Sequence, residues 1–276
     1  MEFKIFEFLA VSRDIEKSMV LFPKDNFKNI THCTIDESEI IVNFNPDVVI
    51  HLAGYSTSSN SKIEIKRLIN GNIEFGVCLL DILNKCNNMK YFFNISSFSE
   101  YKFDPFIQSS SYLYSASKRA FRSFLDYYSS LRGYNYMNVV LYSIYGGVNL
   151  GRRVVEILQN SINSEKSIGM TSGEQILDFT HVTDIASFFI YSLNNLQVLC
   201  KINKGEDFHL GTGVGTSIKQ LSQLLECKFG LNCNVEWGKL PYRETDIMKA
   251  IAPLHLKQLV FSLISCFILL VFITFL

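Results

Sequence analysis

Three short, nearly continuous apolar runs constrain this chain most. They are Val48-Val49-Ile50-His51-Leu52-Ala53, closed by Gly54; Tyr91–Ile95, closed by Ser96 and Ser97; and Asn138–Ile144, followed by Tyr145-Gly146-Gly147. Runs of this length, rich in β-branched and aromatic residues, read as strands. Without polar alternation they read as strands covered on both faces, which requires a parallel sheet between two helical layers. The chain supplies the helices. A helical stretch from Ile63 to Lys85 separates the first two runs, and another begins near Ser111 and stops at Gly133, a natural helix terminator. This order predicts a doubly wound α/β domain.

The flanking segments are less regular. Ile5–Val11 reads as a strand running into Ser12-Arg13-Asp14, a loop with a basic tip, and Ile40–Phe44 is another apolar run before the turn Asn45-Pro46-Asp47. Beyond Gly147 the elements shorten. Arg152–Ile162 reads as a helix, Asp178–Val182 as a strand, and Ile185–Leu193 as a helix capped by Thr183-Asp184. A strand ends at His209-Leu210-Gly211, Ser217 caps a helix over Ile218–Leu225, and Val235–Met248 is a loop carrying Pro241 and Arg243. The expected organisation is a first domain over 1–147 and a smaller lobe over 148–256 closing on a cleft. Residues 178–193 return to the first domain, and an apolar tail covers 257–276.

Composition narrows the function. A formal net charge of zero argues against a dedicated nucleic-acid binder. The seven cysteines lack any C-x-x-C spacing, so they read as free thiols of a reducing cytoplasm rather than a disulfide or zinc framework. His51, His181 and His209 lie in or beside apolar strands and read as core or surface histidines, with no metal site expected. Gly211-Thr212-Gly213-Val214-Gly215 lacks dinucleotide-fingerprint spacing and reads as a turn. Residues 259–276 carry no charge and are just long enough to span a membrane. Two readings stand for them: a membrane anchor with the domain in the cytoplasm, or a terminal element of the globular fold.

The chemistry-bearing residues cluster in Tyr91–Gly133. Tyr114 and Lys118, four residues apart, share one face of the helix. Such a pair occurs by chance in a chain this rich in both residues, so context carries the reading. Here it opens a helix that follows a strand ending in Ser96-Ser97. A serine, a phenol and an ammonium together make an acid–base site for a carbonyl or alcohol. A free phenol ionises near a pKa of about 10, and a nearby ammonium favours its phenolate.

These residues, with Asp47–Ala53, Asn72, Tyr145-Gly146, Gly173-Glu174-Gln175 before Asp178-Phe179, Gly211-Thr212-Gly213 and Pro241-Tyr242-Arg243, resemble the extended short-chain dehydrogenase/reductases that act on nucleotide-activated sugars. The likeness runs from about residue 5 to 258. The segments 171–175, 211–220 and 243–248 are most similar to CDP- or dTDP-4-keto-6-deoxyhexose reductases and epimerases of O-antigen synthesis, the abequose- and paratose-synthase-like members. The resemblance implies a Rossmann-like fold, NADP or NAD as cofactor, and a nucleotide-diphosphate sugar as substrate. Tyr114 would be the general acid–base, Ser97 would hydrogen-bond the reacting oxygen, and Lys118 would also hold the nicotinamide ribose. Arg13, Leu52, Ala53, Gly54 and Asn72 would line the cofactor, and Ser99 and Arg243 the substrate. The family helix bearing the Tyr–Lys pair often packs in a dimer interface, so a homodimer is one expectation; membrane contact through 259–276 is another.

Phe98 and Ser99 stand where related dehydratases carry an Asp-Glu pair, which argues for reduction or epimerisation. Other departures weaken the match. The first glycine is Gly54, so no glycine-rich turn precedes it to cradle a pyrophosphate. Ile5–Val11 then matches the second strand of the family fold, Arg13 matches a basic position that favours NADP, and the first βα unit is expected to be truncated. Leu177 and Val140 replace residues that are usually basic. A shifted reading frame or a gene truncated at both ends would produce this pattern, which leaves a second expectation: a catalytically impaired remnant that acts at most as a binding protein.

Overall fold

The apolar runs become strands of a parallel sheet because helices cover both of its faces. The computed structural model describes residues 6–59, 61–147 and 153–253. In chain order the elements begin with β1 (Phe8–Val11), α1 (Ile15–Leu21), β2 (Ile30–Cys33), α2 (Ser38–Phe44) and β3 (Val48–His51). Next come α3 (Lys62–Ile69), a π-helical turn (Asn70–Glu74), α4 (Phe75–Leu83), β4 (Tyr91–Ser97), a 3-10 turn (Phe98–Glu100) and α5 (Leu113–Arg132). Then follow β5 (Asn135–Leu141), β6 (Ser143–Tyr145), α6 (Val154–Ile162), β7 (Ile168–Gly169), β8 (Ile176–His181), α7 (Val182–Asn194) and α8 (Leu196–Leu199). The described chain closes with β9 (Glu206–Leu210), β10 (Gly215–Ser217), α9 (Ile218–Phe229), β11 (Val235–Glu236) and β12 (Lys249–Ala250).

The central sheet runs β3-β4-β5-β9, with every neighbouring pair parallel. Alternate side chains of β4 face opposite layers, as strand geometry requires. Tyr91, Phe93 and Ile95 pack with Ile185, Phe188 and Phe189 of α7. Phe92 packs with Leu79, Leu80 and Leu83 of α4 and Phe121 and Leu125 of α5. Each such fully buried side chain contributes roughly 1.5–3 kcal/mol relative to exposure, so this two-sided burial anchors the β4 end where Ser97 sits. The helices on one face approach closely: a methyl at Gly76 would clash with the Phe121 ring.

β1 and β2 form a separate parallel pair. Among the described residues no backbone hydrogen bond joins β1 to β3, although Leu9, Val11 and Val49 pack on the same cluster. β3 is therefore an edge strand, and Val48, Val49 and Ile50 are only half-buried, whereas Tyr91–Ser96 of β4 are all buried. The run Ile40–Phe44 folds as part of helix α2, which ends at Asn45 in the left-handed region (φ 49°), a conformation Asn tolerates better than most residues. The 185–193 helix starts earlier than the sequence suggests: α7 begins at Val182, and the His181 side chain caps it in place of Thr183-Asp184. Ser217 caps α9 as expected, in a capping box with Gln220.

A second small sheet runs β10-β8-β12, with β6 also paired to β8. Its pivot is Asp178, which is fully buried. The Asp178 carboxylate accepts from the Thr212 amide (2.8 Å), the Thr212 hydroxyl (2.6 Å), the Gly213 amide (2.7 Å) and the Ala252 amide (3.1 Å). The amides of the 211–213 turn thus serve the protein's own carboxylate rather than a phosphate.

Cys33, Cys78, Cys86, Cys200, Cys227 and Cys233 are free thiols, and no group of metal-ligating side chains occurs among the described residues. No helix among them is long and apolar enough to cross a membrane. The apolar tail at 257–276, proposed from sequence as a membrane segment, lies outside the described residues.

Candidate active site

Ser97 sits where β4 turns sharply into the 3-10 turn. Its hydroxyl accepts from the Ser99 amide (3.2 Å) and lies 2.9 Å from the Ser99 hydroxyl. Glu100 reaches back to close the turn, accepting from the Ser97 amide (3.0 Å) and the Ser96 hydroxyl (2.5 Å). Ser99 is only 5% exposed. It braces Ser97 through these two contacts.

α5 brings the other two members. Its 20 residues present Tyr114 and Lys118 on one face, and it ends at Gly133 in the left-handed region (φ 78°). Lys118 is buried, and its ammonium donates to the Ile95 carbonyl (3.1 Å), beside the Ser96-Ser97 strand end. Ser97 acts on the Tyr114 phenol as a hydrogen-bond partner that lowers its pKa. Burial dominates, however, and the Glu100 charge adds to it, pushing the phenol up to about 12. That corrects the expectation of a phenolate-favouring environment: desolvation disfavours the anion more than the neighbours stabilise it. The phenol is therefore held protonated at neutral pH. Burial lowers the Lys118 ammonium to about 8, opposed by the Glu100 charge. His51, beneath it, is driven down to about 3 by burial and by Lys118, so it stays neutral.

Gly54 and Asn72 meet Lys118. A methyl at Gly54 would fall 3.1 Å from both the Lys118 ammonium and the Asn72 Oδ1, so glycine keeps this approach open. Asn72 sits in the π-helical turn, an irregularity common at functional sites. Its Oδ1 accepts from the Tyr55 amide (2.6 Å), and its Nδ2 donates to the Tyr55 carbonyl (2.9 Å) and the Ser117 hydroxyl (2.8 Å). Asn72 thus locks the loop after β3 to α5. Leu52, 67% exposed, and Ala53 lie on that same loop.

Arg243, from the second lobe, donates to the Ser58 hydroxyl on the loop after β3 and caps Asp246 through its amide (2.9 Å). The Tyr112 hydroxyl at the start of α5 donates to Asp246 (3.1 Å), so the 241–246 segment is tied to the mouth of the site. Arg13 is exposed at the tip of the β1–α1 loop, and no hydrogen bond or ion pair among the described residues joins it to Gly54, Asn72 or Lys118.

Sequence reasoning missed the charged network behind Ser97. Arg122 pairs with Glu100 (2.8 Å) and Asp207 (2.5 Å) and donates to Ser96 (2.7 Å). Tyr101 also donates to Asp207 (2.5 Å). One signal was available: Arg122 lies one helical turn beyond Lys118 and two beyond Tyr114, on the same face.

The acid–base end of this site fits a nicotinamide cofactor: Gly54, Asn72 and Lys118 converge beside Ser97 and Tyr114. The phosphate end differs. After β1 the chain turns through Ser12-Arg13-Asp14, where the Ser12 hydroxyl takes the Asp14 amide (3.2 Å) and the Asp14 carboxylate takes the Lys17 amide (2.9 Å). That turn contains no glycine and, with β1 expected to match the family's second strand, is not the place of the family's pyrophosphate turn; the first glycine of the sequence is Gly54.

Sheet and flanking helices together define a Rossmann-like α/β fold. Residues 6–211 match the model of the NAD dependent epimerase/dehydratase family, and the chain belongs to that family. It is 27% identical over 260 residues to CDP-abequose synthase of Salmonella typhimurium, covering 88% of this chain and 80% of that protein. It is 29% identical over 198 residues to CDP-abequose synthase of Yersinia pseudotuberculosis, covering 63% of this chain and 68% of that protein. Among solved structures, MoeE5 in complex with UDP-glucuronic acid and NAD superposes with a TM-score of 0.74 at 14% identity, covering 93% of each chain. UDP-glucose 4-epimerase of Thermotoga maritima with UDP-glucose gives 0.71 at 20% identity, covering 90% of each. These structural likenesses establish the Rossmann-like fold.

Proposed function

We propose that the chain is a cytoplasmic NAD(P)-dependent reductase or epimerase of a nucleotide-linked 4-keto-6-deoxy sugar, acting in O-antigen or polysaccharide precursor synthesis. The convergence of Ser97, Tyr114 and Lys118 at the end of β4 carries this reading. The likeness to two CDP-abequose synthases supports the sugar class.

The bound cofactor would supply or accept the hydride. The chain's residues do the rest. The Ser97 hydroxyl donates to the sugar carbonyl oxygen, and Tyr114, protonated at neutral pH, delivers the proton that completes the alcohol. Lys118 places its positive charge beside the developing oxyanion and phenolate. Glu100, bound by Ser96, Ser97 and Arg122, is not free to remove a proton from the sugar, and Phe98 and Ser99 carry no carboxylate. Both points support reduction or epimerisation over dehydration. Arg243 reaches across to the loop after β3, where it would meet the substrate's diphosphate.

A second reading, a nucleotide-sugar-binding protein without turnover, is favoured by the lack of any glycine before Gly54. A panel assay separates the two. Purified protein is given NADPH or NADH with CDP-, dTDP- and UDP-linked 4-keto-6-deoxyhexoses, and cofactor oxidation and sugar products are followed. The enzyme reading expects oxidation with at least one substrate. In the reductive direction the rate should fall as pH rises through about 8, because Lys118 then loses its charge. No conversion across the panel would leave the binding reading in its place.

A further inference from the structure

The segment that carries Arg243 is held from both lobes. On the second-lobe side the Leu240 amide donates to the Met170 carbonyl (3.1 Å), and the Glu174 amide donates to the Tyr242 hydroxyl (2.9 Å). The Gln175 side chain donates to the Ile247 carbonyl (3.3 Å), and Ile247 is buried with Tyr101, Val140 and Tyr142. Between these anchors the chain crosses to the first domain. There Lys102 donates to the Glu244 carbonyl (3.3 Å), and the Tyr112 hydroxyl donates to Asp246 (3.1 Å).

Asp246 is used at both oxygens. Oδ1 takes the Tyr112 hydroxyl, and Oδ2 takes the Arg243 amide (2.9 Å). The Asp246 amide returns to the Arg243 carbonyl (3.0 Å), which closes a tight turn over 243–246. The Arg243 guanidinium stays outside that turn. It donates to the Ser58 hydroxyl, and no ion pair joins it to Asp246 among the described residues. A neutral hydroxyl is a partner that a phosphate displaces, because charge-assisted bonds to arginine are the stronger.

We propose that Tyr112 is a positioning residue for the substrate's diphosphate. By occupying the Asp246 carboxylate it fixes the 243–246 turn on the start of α5 and leaves the Arg243 guanidinium free for the ligand. The inference rests on the reading of Arg243 as the diphosphate contact. Without the Tyr112 hydroxyl, Asp246 would draw the guanidinium three residues away into an ion pair, and its open charge would oppose a diphosphate. Tyr112 is also the N-cap of the helix that carries Tyr114 two residues on. The same tie therefore sets the span between the diphosphate contact and the proposed proton donor.

The test reads binding and local order together. Calorimetry measures CDP, dTDP and UDP on the full-length wild type, Y112F, R243M and Y112F/R243M. Y112F removes one oxygen and keeps the ring. Amide hydrogen exchange on the same four proteins reports, through the core of α5, that each is folded, and reports the order of the 243–246 turn. Y112F is expected to speed exchange at the Arg243 and Asp246 amides. It should weaken the tightest of the three nucleotides by about tenfold, as loss of a hydrogen bond to a charged group does. The double variant should bind no more weakly than R243M, because Tyr112 acts through Arg243. Unchanged binding in Y112F beside weakened binding in R243M would overturn the proposal and leave the reading of Arg243 intact. Additive losses in the double variant would overturn it too, since Tyr112 would then act on the ligand independently. Unchanged binding in R243M, or no binding of any of the three by wild type, would remove the diphosphate reading and this inference with it.

Discussion

Tyr114→Phe is expected to cut turnover by about 10³-fold while leaving nucleotide-sugar and cofactor binding within about twofold. The substitution removes one oxygen and almost no packing. Tyr114 is only partly buried by neighbouring side chains, and α5 is held by Phe121 and Leu125 in the core. Its phenol, pushed up to about 12, is a proton donor matched to a developing alkoxide. Ser97 can still bind the substrate oxygen without it, which is why binding should survive. Steady-state cofactor oxidation with calorimetric binding checks both halves. Turnover close to wild type would remove Tyr114 from its role.

Arg122→Met should destabilise the fold by about 3 kcal/mol or more, because removing one partner of a buried ion pair strands the other. Glu100 would keep the Ser96 hydroxyl and Ser97 amide but lose its cation, and Asp207 would lose its partner at 2.5 Å. The methionine keeps most of the volume, so the loss reads as electrostatic. Thermal or urea unfolding measures it. E100Q/R122M should recover only the part due to Glu100, since Asp207 still lacks its cation and keeps only the Tyr101 and Gln108 donors. If Arg122→Met unfolds like wild type, the pair contributes nothing to holding the β4 end.

The elements that could be read from sequence are those whose signal is local. Val48–His51 and Tyr91–Ile95 are strands, their continuous apolar runs marking a parallel sheet covered by helices. The Tyr114–Lys118 helix ends at Gly133 because only glycine takes the left-handed cap cheaply. β2 was missed because Ile30-Thr31-His32-Cys33 is short and polar at two of four positions. Ile40–Phe44 is too short for periodicity to separate strand from helix.

Gly54 and Asn72 lie against Lys118, a grouping that the family resemblance implied and spacing alone did not. Arg13 stays apart from them, on the β1–α1 loop. The Glu100–Arg122–Asp207 network was hidden for a different reason. Arg122 and Asp207 are 85 positions apart, and nothing local marks either as a partner of the catalytic strand. The upward shift of Tyr114 was likewise invisible, because burial is a property of the packed site.

The proposed function requires that this chain hold a nicotinamide dinucleotide against Ser97, Tyr114 and Lys118, although no glycine precedes Gly54. Titrating the protein with NADPH and with NADH, and following the fluorescence of the reduced nicotinamide, tests it most directly. The expected result is saturable binding of at least one of them at or below millimolar concentration, weakened in Lys118→Met. Absence of saturable binding of both at millimolar cofactor would contradict it.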